Sequence, residues 1–262
     1  FGDETDAVLR LFQTRAAVFL RVNTSKCTRE EAQNQLVQVD IQTKHHPLSA
    51  TALEVGENPR RVGQSPAYKD GCVELQDVAS QAVVDFLPTT AGNRVLDFCA
   101  GGGGKSLALA AQSNISVTAY DSEPKRMRDI LLRAERAGAD ILIAEKDDLD
   151  RGGYDLVLCD APCSGSGSWR RSPDAKWALT PERLRELVEI QSEILVDARQ
   201  YVGPNGVLAY VTCSVFRDEN RAQIDNFLMG NPDWELLKDR VFSPLEGGDG
   251  FFVALLKRTK SD

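Results

Sequence analysis

The chain has 262 residues, of which 42% are hydrophobic and 27% are charged, the ordinary balance of a soluble globular protein. No apolar run approaches the ~20 residues of a membrane-spanning helix, which argues against an integral membrane protein and against a membrane partner. The net charge of −8 argues against a uniformly basic nucleic-acid-binding surface. Basic residues do gather locally, at Arg60-Arg61, over 125–128 and at Arg170-Arg171.

The cysteine content indicates a reducing, cytoplasmic compartment. Six cysteines in a chain of this length lack the density of a disulfide scaffold. The two histidines, His45 and His46, lie far along the sequence from the cysteines at 159 and 163, so no metal site is predicted. The sequence starts at Phe1, without a methionine or a secretory leader, as expected for a piece of a longer protein. We expect a monomer.

Residues 1–71 are predicted to form a small N-terminal α/β domain that ends in a linker. Helical spacing over 3–17 precedes a strand over 18–23. The pattern Thr28-Arg-Glu-Glu is typical of a capping box and begins a helix that reaches about Val39. A weaker strand is predicted over 51–55, and the stretch 58–71 is punctuated by proline and glycine, as a linker would be.

Residues 72–262 are predicted to form a doubly wound α/β domain, because strand and helix patterns alternate as in parallel βαβ units. The predicted strands lie over 94–99, 115–120, 141–144, 154–159, 207–213 and 251–256. The predicted helices lie over 76–87, after the glycines at 101–104, and over 124–138, 180–199 and 218–228. Ligands of such sheets bind at the carboxyl ends of the strands.

Two cysteines follow strands of this predicted sheet. Asp160-Ala-Pro-Cys163 comes at the end of one apolar run, and Thr212-Cys213-Ser214 ends another. Because both thiols arrive at the edge where ligands bind, and a carboxylate stands three residues before one of them, Cys213, Cys163 and Asp160 are the candidate catalytic residues. A free cysteine is more often buried and inert, and this is the interpretation for Cys27, Cys72 and Cys159.

The segment 100–106 places four glycines between a strand and a helix, where the backbone can approach a ligand at the helix N-terminus. Asp121 follows about twenty positions later, the spacing of a carboxylate that binds ribose hydroxyls. A dinucleotide motif fails because Ser106 or Leu107 replaces its third glycine, and a phosphate-binding loop fails because residue 99 is cysteine. A tight turn without a ligand is one alternative. A nucleoside ligand that needs no phosphate, such as S-adenosylmethionine, is the other.

These motifs resemble those of the Sun/Fmu-type (RsmB-like) RNA cytosine-5 methyltransferases, in the same order along nearly the whole chain. Residues 97–106 resemble the family's D-x-C-A-x-P-G-G-K-T, residues 160–167 its D-A-P-C-S-G-x-G, and residues 212–220 its T-C-S…E-N. Gly102 stands where the family usually has proline. Further similarities lie over 19–23, 65–68, 76–80, 171–177 and 249–252.

The resemblance implies a Rossmann-like S-adenosylmethionine-dependent methyltransferase sheet with a small N-terminal α/β RNA-binding domain. It assigns the nucleophile that adds to C6 of cytosine to Cys213, and release of the covalent product to Cys163. The residues alone do not order the two thiols. Asp160 would bind the N3/N4 edge of the base and stabilise the charge that develops there. No histidine is placed to accept the C5 proton, so that role stays open.

The resemblance also implies the ligand contacts. Backbone groups over 99–105 would wrap the methionine moiety, Asp121 would bind the ribose, and Asp147 would lie near the adenine, with Asp148 as the alternative by spacing. The cofactor-binding candidates are Cys99, Ala100, Gly101, Gly102, Gly103, Gly104, Lys105, Asp121, Asp147 and Asp160. An unpaired cytosine of RNA would be held by basic and aromatic side chains. The RNA-binding candidates are Arg21, Asn23, Arg170, Arg171 and Trp177.

We therefore predict an S-adenosylmethionine-dependent RNA cytosine-5 methyltransferase that acts on small-subunit ribosomal RNA in a bacterium. A tRNA methyltransferase is the alternative within the same class. A catalytically silent RNA-binding module for ribosome assembly is the alternative from another class, although the two retained cysteines disfavour it. A NAD-dependent oxidoreductase is the third alternative.

Overall fold

The computed structural model describes residues 2–112 and 114–259. Phe1, Ser113 and residues 260–262, which the predicted domains include, lie outside the described residues. The described chain forms two sheets, one of four strands and one of seven.

The small sheet is antiparallel and lies in the N-terminal part of the chain. Its order is β2-β3-β1-β4, with strands β1 (Val18–Val22), β2 (Thr43–His45), β3 (Ala52–Val55) and β4 (Val73–Leu75). The accompanying helices are α1 (Thr5–Leu11), α2 (Arg29–Val37) and α3 (Pro66–Lys69). Helix α2 begins at the predicted capping box, in which the Thr28 side chain accepts a hydrogen bond from the Glu31 backbone N–H. The core of this unit includes Leu20, Leu36 and Leu53, all fully buried.

The stretch predicted as a linker is structured, and this part of the prediction is wrong. Residues Pro59–Gln64 form a 3-10 helix and α3 follows, with Val62 and Ala67 fully buried. Strand β4 then pairs with β1, so the small sheet continues past residue 72. The prolines and glycines of this stretch lie in or beside short helical turns and not in an extended linker. We propose the division between the two units after Leu75 instead of after residue 71.

The large sheet has the order β10-β11-β9-β8-β5-β6-β7. Its strands are β5 (Arg94–Asp97), β6 (Ser116–Ala119), β7 (Ile141–Ile143), β8 (Tyr154–Asp160), β9 (Val202–Thr212), β10 (Trp234–Phe242) and β11 (Phe251–Arg258). Strands β5 to β9 are parallel, as the alternating pattern predicts, whereas β11 runs antiparallel to both β9 and β10. The sequence analysis missed β10, because this edge strand exposes most of its side chains and lacks a clean apolar alternation.

Helices cover both faces of the large sheet. Leu156 and Leu158 of β8 belong to one core cluster, and the alternating Val157 and Cys159 belong to the other. Parallel strands that are buried on both faces consist of nearly continuous apolar residues, and for this reason β8 could be predicted from the sequence. One face carries α4 (Val78–Phe86), α5 (Gly104–Ala110) and α6 (Ile130–Ala137), and the other carries α8 (Pro181–Ala198) and α9 (Arg221–Gly230).

The order of the strands reverses between β5 and β8, which are neighbours in the sheet but are separated by two strands along the chain. A crevice forms at such a switch point, outside the carboxyl ends of the strands. Asp97, Asp121, Asp160 and Cys213 all stand at or just past these ends. The short helix α7 (Pro173–Ala178) lies in the loop that follows β8. Within the described ranges, none of the helices has the length and apolar character needed to cross a bilayer.

Candidate active site

The two candidate catalytic thiols are in contact. Cys163 Sγ lies 3.4 Å from Cys213 Sγ, because β8 and β9 are parallel neighbours that pair Asp160 with Val211. The loop after β8 is then held to the loop after β9 by a backbone hydrogen bond from Gly167 N to Cys213 O, 2.9 Å long. Residues that are about fifty positions apart in the sequence therefore share one site at the edge of the sheet.

Lys105 is the third group of this site. Its Nζ lies 2.6 Å from Asp160 Oδ2, and the Lys105 side chain is 7% exposed whereas that of Asp160 is 33% exposed. Burial lowers the pKa of Lys105, but the charge and hydrogen bond of Asp160 more than offset burial, so the pKa lies above its ordinary value. The ammonium also lies 5.1 Å from the centroid of the Phe251 ring. Lys105 was predicted to bind the cofactor, and the structure pairs it with Asp160, the candidate catalytic carboxylate.

The two thiols differ in their electrostatic surroundings. The hydrogen bond with Cys163 lowers the pKa of Cys213 against the opposing effect of burial, and Lys105 lowers it further while Asp160 raises it. The same hydrogen bond, followed by burial and the charge of Glu219, raises the pKa of Cys163 well above the ordinary value of a thiol. The nucleophilic form of cysteine is the thiolate. The geometry therefore favours Cys213 as the thiolate and Cys163 as its protonated neighbour.

A fully buried carboxylate, Glu219, joins the two cysteine loops. Its Oε1 accepts hydrogen bonds from Ser164 N at 2.7 Å and from Gln191 Nε2 at 3.0 Å. Its Oε2 accepts from the hydroxyls of Ser164 and Ser214, the residues that directly follow the two cysteines. Sequence reasoning matched Glu219 to a family motif but assigned it no role. The signal available was that a carboxylate lay within a few residues of the second thiol.

A crevice beside the glycines has the size of a nucleoside. It consists of two neighbouring cavities, of about 310 Å³ and about 610 Å³, that share lining residues, among them Tyr120, Asp121 and Lys146. Of the predicted cofactor residues, Cys99 lines the first cavity and Asp121 lines both. Asp148 lines the second cavity, whereas Asp147 does not. Asp148, the alternative by spacing, therefore lies at this crevice.

The loop before α5 is shaped by glycine. Gly101 and Gly103 have φ of +51° and +78°, and a Cβ at Gly103 would lie 2.8 Å from Ile130 Cγ1, so neither position accepts another residue without strain. Gly101 N donates to Asp121 Oδ2 at 2.9 Å. Arg126, about half exposed, pairs with the same carboxylate at 3.1 Å. A glycine turn, a buried carboxylate and a crevice of this size fit a ligand with a ribose and a flexible polar tail.

A model of the family described as 16S rRNA methyltransferase RsmB/F matches residues 84–257. The chain belongs to this family. A second model, of the RsmF/B-like ferredoxin-like domain, matches residues 1–62, which include strands β1, β2 and β3 of the small antiparallel sheet. Membership of the RsmB/F methyltransferase family confirms the predicted family, and with it S-adenosylmethionine as the cofactor expected of its members.

Named relatives of this RsmB/F family member are enzymes of ribosomal RNA. The ribosomal RNA small subunit methyltransferase B of Vibrio cholerae is 34% identical in an alignment 273 positions long, and the alignment covers 98% of this chain and 62% of that protein. The corresponding protein of Erwinia tasmaniensis is 33% identical in an alignment 257 positions long, and the alignment covers 92% of this chain and 60% of that protein. The chain thus spans about three fifths of the length of these curated relatives.

Solved structures agree with the fold. The crystal structure of PH0851 superposes with a TM-score of 0.92 at 29% identity, over 98% of this chain and 63% of that one. NSun6 from Pyrococcus horikoshii, whose structure was determined with SFG, superposes with a TM-score of 0.86 at 16% identity, over 99% of this chain and 95% of that one. The predicted Rossmann-like methyltransferase sheet with a small N-terminal domain is therefore confirmed.

Two of the residues predicted to bind RNA face the protein interior of this RsmB/F family member. Arg21 is 4% exposed and donates to Gly104 O at 2.8 Å and to Gln76 Oε1. Asn23 is also 4% exposed and donates to Gly71 O and Ala137 O. Both side chains join the small sheet to the glycine loop or to α6. Because both side chains are buried and donate to carbonyl oxygens within the protein, this structure corrects their assignment from RNA contact to internal support.

The other three RNA-binding candidates differ in how freely they face solvent. Arg171 Nε lies 2.8 Å from Asp249 Oδ2, and its Nη2 contacts Asp77, so its charge is already neutralised within the protein. Arg170 Nη2 donates to Arg15 O at 2.9 Å. Trp177 is 81% exposed on α7, with the Lys176 ammonium 5.2 Å from its ring centroid. Of the three, Trp177 has the exposure that stacking on a base requires.

Asp97, at the end of β5, is a buried carboxylate that the sequence analysis left without a role. Its Oδ2 accepts from Ser106 Oγ at 2.6 Å, while its Oδ1 is buried without a partner among the described residues. Burial raises the pKa of Asp97 to about 7, against the opposing effect of the Ser106 hydrogen bond. Across the described residues, no cluster of three or more acidic, cysteine or histidine side chains could hold a metal ion.

Proposed function

We propose that this chain methylates C5 of cytosine in RNA, with S-adenosylmethionine as methyl donor and a transient covalent bond between Cys213 Sγ and C6 of the base. The observation that carries the proposal is the arrangement at the edge of the sheet: two thiols 3.4 Å apart beside a carboxylate–lysine pair. C5 of cytosine is a poor nucleophile, and addition of a thiolate to C6 converts it into an enamine-like carbon. The site contains the groups that this addition needs.

The charges around Cys213 suit the first step. Its thiolate attacks C6, and the π electron pair of the C5–C6 double bond shifts to C5, from where it is delocalised over the ring. Asp160, one third exposed, accepts a hydrogen bond from the N4 amino group of the base. The Lys105 ammonium, fixed by Asp160 at 2.6 Å, stabilises the negative charge that the addition places on the ring. When bound, S-adenosylmethionine supplies the electrophilic methyl group for C5.

Cys163 fits the last steps. After methyl transfer the C5 proton passes to solvent water, the electron pair of that C–H bond re-forms the C5–C6 double bond, and the Cys213–C6 bond breaks with its electron pair on sulfur. A protonated thiol 3.4 Å from Cys213 Sγ can donate its proton to the departing thiolate and favour release of the base. The hydrogen bond with Cys213, burial and the charge of Glu219 keep Cys163 protonated, because each of them raises its pKa.

The substrate we propose is small-subunit ribosomal RNA, in the cytoplasm of a bacterium, with the protein acting as a monomer. The names of the relatives from Vibrio cholerae and Erwinia tasmaniensis support this substrate class. The free thiols of all six cysteines support a reducing compartment. A cytosine must leave its stack to reach two thiols in a crevice, so an unpaired nucleotide is the target we expect.

The decisive experiment combines S-adenosylmethionine labelled in its methyl group with unmodified small-subunit ribosomal RNA or unmodified tRNA. Wild type should yield 5-methylcytosine in the ribosomal RNA. Cys213→Ala should yield no product and no adduct, and Cys163→Ala should accumulate a protein–RNA adduct that survives denaturation. Cys27→Ala, a remote buried thiol, is the matched control and should behave as wild type.

Each other outcome contradicts a stated part of the proposal. An adduct in Cys213→Ala would reverse the roles of the two thiols. Label in tRNA alone would replace the substrate class and keep the chemistry. RNA binding by wild type without any methyl transfer to either pool would favour the silent assembly module and overturn the enzymatic proposal.

A further inference from the structure

The glycine loop is held by two arginines that come from outside it. Gly102 O accepts a hydrogen bond from Arg133 Nη1 on α6. Gly104 O accepts a hydrogen bond of 2.8 Å from Arg21 Nη1 on β1. One carbonyl of the loop and that of Gly104, the first residue of α5, are thus fixed by charged donors, which form stronger hydrogen bonds than neutral ones.

Both arginines are themselves anchored in the small N-terminal sheet. Glu74, a buried residue of β4, lies 3.6 Å from Arg133 Nη2 through its Oε1 and 2.6 Å from Arg136 Nη2 through its Oε2. Arg21 is buried on β1 and contacts Gln76, whose Nε2 also donates to Gly104 O at 3.3 Å. The small sheet therefore determines where the two guanidinium groups lie relative to the loop.

The guanidinium of Arg133 lies where a side chain at residue 102 would be. A Cβ on Gly102 would lie 3.3 Å from Arg133 Nη1, which is tighter than an ordinary contact, so a side chain at residue 102 and this guanidinium compete for one position. Four successive glycines are costly to order, because glycine loses more backbone freedom on folding than any other residue. The stretch has no proline to reduce that freedom. An external hydrogen bond to Gly102 O is the restraint that the structure provides instead.

We propose that Arg133 and Arg21 are positioning residues for cofactor binding, which hold the glycine loop in the conformation that receives S-adenosylmethionine. Arg133 acts at the carbonyl of Gly102 and Arg21 at that of Gly104. The small N-terminal unit thereby contributes to the cofactor site through Glu74 and Arg21, besides any contact with RNA. This inference rests on the proposed function only in the identity of the ligand.

The test measures binding of S-adenosylhomocysteine by calorimetry, without RNA or turnover. Arg133→Met should weaken binding by about tenfold, the effect of losing one hydrogen bond to a charged group. Arg136→Met is the matched control: it removes the stronger partner of Glu74 from the same helix but no bond to the loop, and should leave affinity within about twofold. Arg21→Met should weaken binding like Arg133→Met.

A proline at residue 102 separates positioning from simple loss of structure. The φ of Gly102 lies outside the left-handed region, a region that proline, with its φ fixed near about −65°, cannot adopt. In the Arg133→Met background, Gly102→Pro should recover at least half of the lost affinity on a logarithmic scale. In the presence of Arg133 the same change should weaken binding, because the ring takes the place of the guanidinium. The effects of the two changes should therefore be far from additive.

Amide hydrogen exchange over 99–106 in the free protein provides the second measurement. Arg133→Met should speed exchange in this segment, and Arg136→Met should not. Unchanged affinity and unchanged exchange in Arg133→Met would overturn the inference while leaving the proposed function intact. If wild type fails to bind S-adenosylhomocysteine, the proposed function fails, and the exchange measurement still decides whether the arginines order the loop.

Discussion

Lys105 Nζ and Asp160 Oδ2 lie 2.6 Å apart, so the helix that follows the glycine loop delivers a buried cation to the carboxylate at the end of β8. The pair links the glycine loop, which precedes α5, to the loop that carries Cys163, which follows β8. Its two members act on Cys213 in opposite directions: Lys105 lowers the pKa of this thiol and Asp160 raises it.

Substitution of either member should therefore change the reactivity of Cys213 in opposite directions. Lys105→Met removes the cation, raises the pKa of Cys213 and slows its alkylation by iodoacetamide at pH 7. Asp160→Asn removes the anion and speeds alkylation, although methyl transfer falls by about a hundredfold or more, because the carboxylate that binds N4 of the base and fixes the Lys105 ammonium is lost. Alkylation rates from mass spectrometry across pH 6 to 9 check both. A change in the same direction in the two variants would contradict this account.

Glu219 should affect the thiols mainly through its charge. In Glu219→Gln the shape is kept and the Ser164 and Ser214 hydroxyls can rotate to accept from the amide, so thermal stability should fall only slightly. The pKa of Cys163 should drop because a negative charge that raises it is lost, and Cys163 should become easier to alkylate. Glu219→Leu leaves buried donors unpaired, at about 1 to 3 kcal/mol each, and should unfold at a clearly lower temperature. Equal stability in the two variants would refute the hydrogen-bonding role.

Arg171 and Trp177 should give different results in RNA binding. Arg171→Gln leaves Asp77 and Asp249 without their cation, so it should lower the melting temperature and leave the salt dependence of RNA affinity unchanged. Trp177→Ala should weaken RNA binding, by about 1 to 3 kcal/mol for one lost stacking contact, without a change in melting temperature. Affinity measured from 50 to 300 mM salt distinguishes the two. A shallower salt slope in Arg171→Gln would restore it as a phosphate contact.

Gly167 should tolerate no side chain. A Cβ there would lie 2.1 Å from Gly250 O, at the point where backbone hydrogen bonds link Gly167 to both Cys213 and Gly250. Gly167→Ala must displace the backbone beside Cys213, and should cost several kcal/mol of stability and most of the activity. Gly230→Ala is the control, because a Cβ at this last residue of α9 meets no atom within 4 Å. The control should be neutral or slightly stabilising.

Asp97 should make stability depend on pH in a defined direction. Its pKa is about 7 in the folded chain and about 3.9 when unfolded, so the unfolded state releases this proton first. The resulting destabilisation is absent below about pH 4, grows as the pH rises and is complete above about pH 7. Asp97→Asn cannot ionise, so its stability relative to wild type should increase by a few kcal/mol between pH 4 and pH 8. Denaturant unfolding of both proteins at pH 5 and pH 8 checks this, and a constant difference would contradict it.

Local pattern accounts for most of the elements of this fold. The central parallel strands β5, β8 and β9 form apolar runs in the sequence because both of their faces are covered, and α2 begins at a capping box that a four-residue pattern specifies. Strand β10 and the helical turns over 59–69 were missed, since an edge strand and short turns depend on neighbours for their burial rather than on their own periodicity.

The candidate site also has features that local sequence patterns predict and features that depend on tertiary neighbours. Local motifs were sufficient to predict the chemical groups of the site, namely the thiols Cys163 and Cys213, the carboxylate Asp160 and the run of glycines. Which charged side chains are free to bind a ligand depends on the tertiary structure. In the sequence, Arg21 and Arg171 cannot be distinguished from arginines that bind RNA. In the structure, Arg21 is buried against Gly104, and the charge of Arg171 is neutralised by Asp77 and Asp249. Long-range partners decide whether a charge is desolvated or available, and those partners lie tens of residues away, beyond the reach of any local pattern.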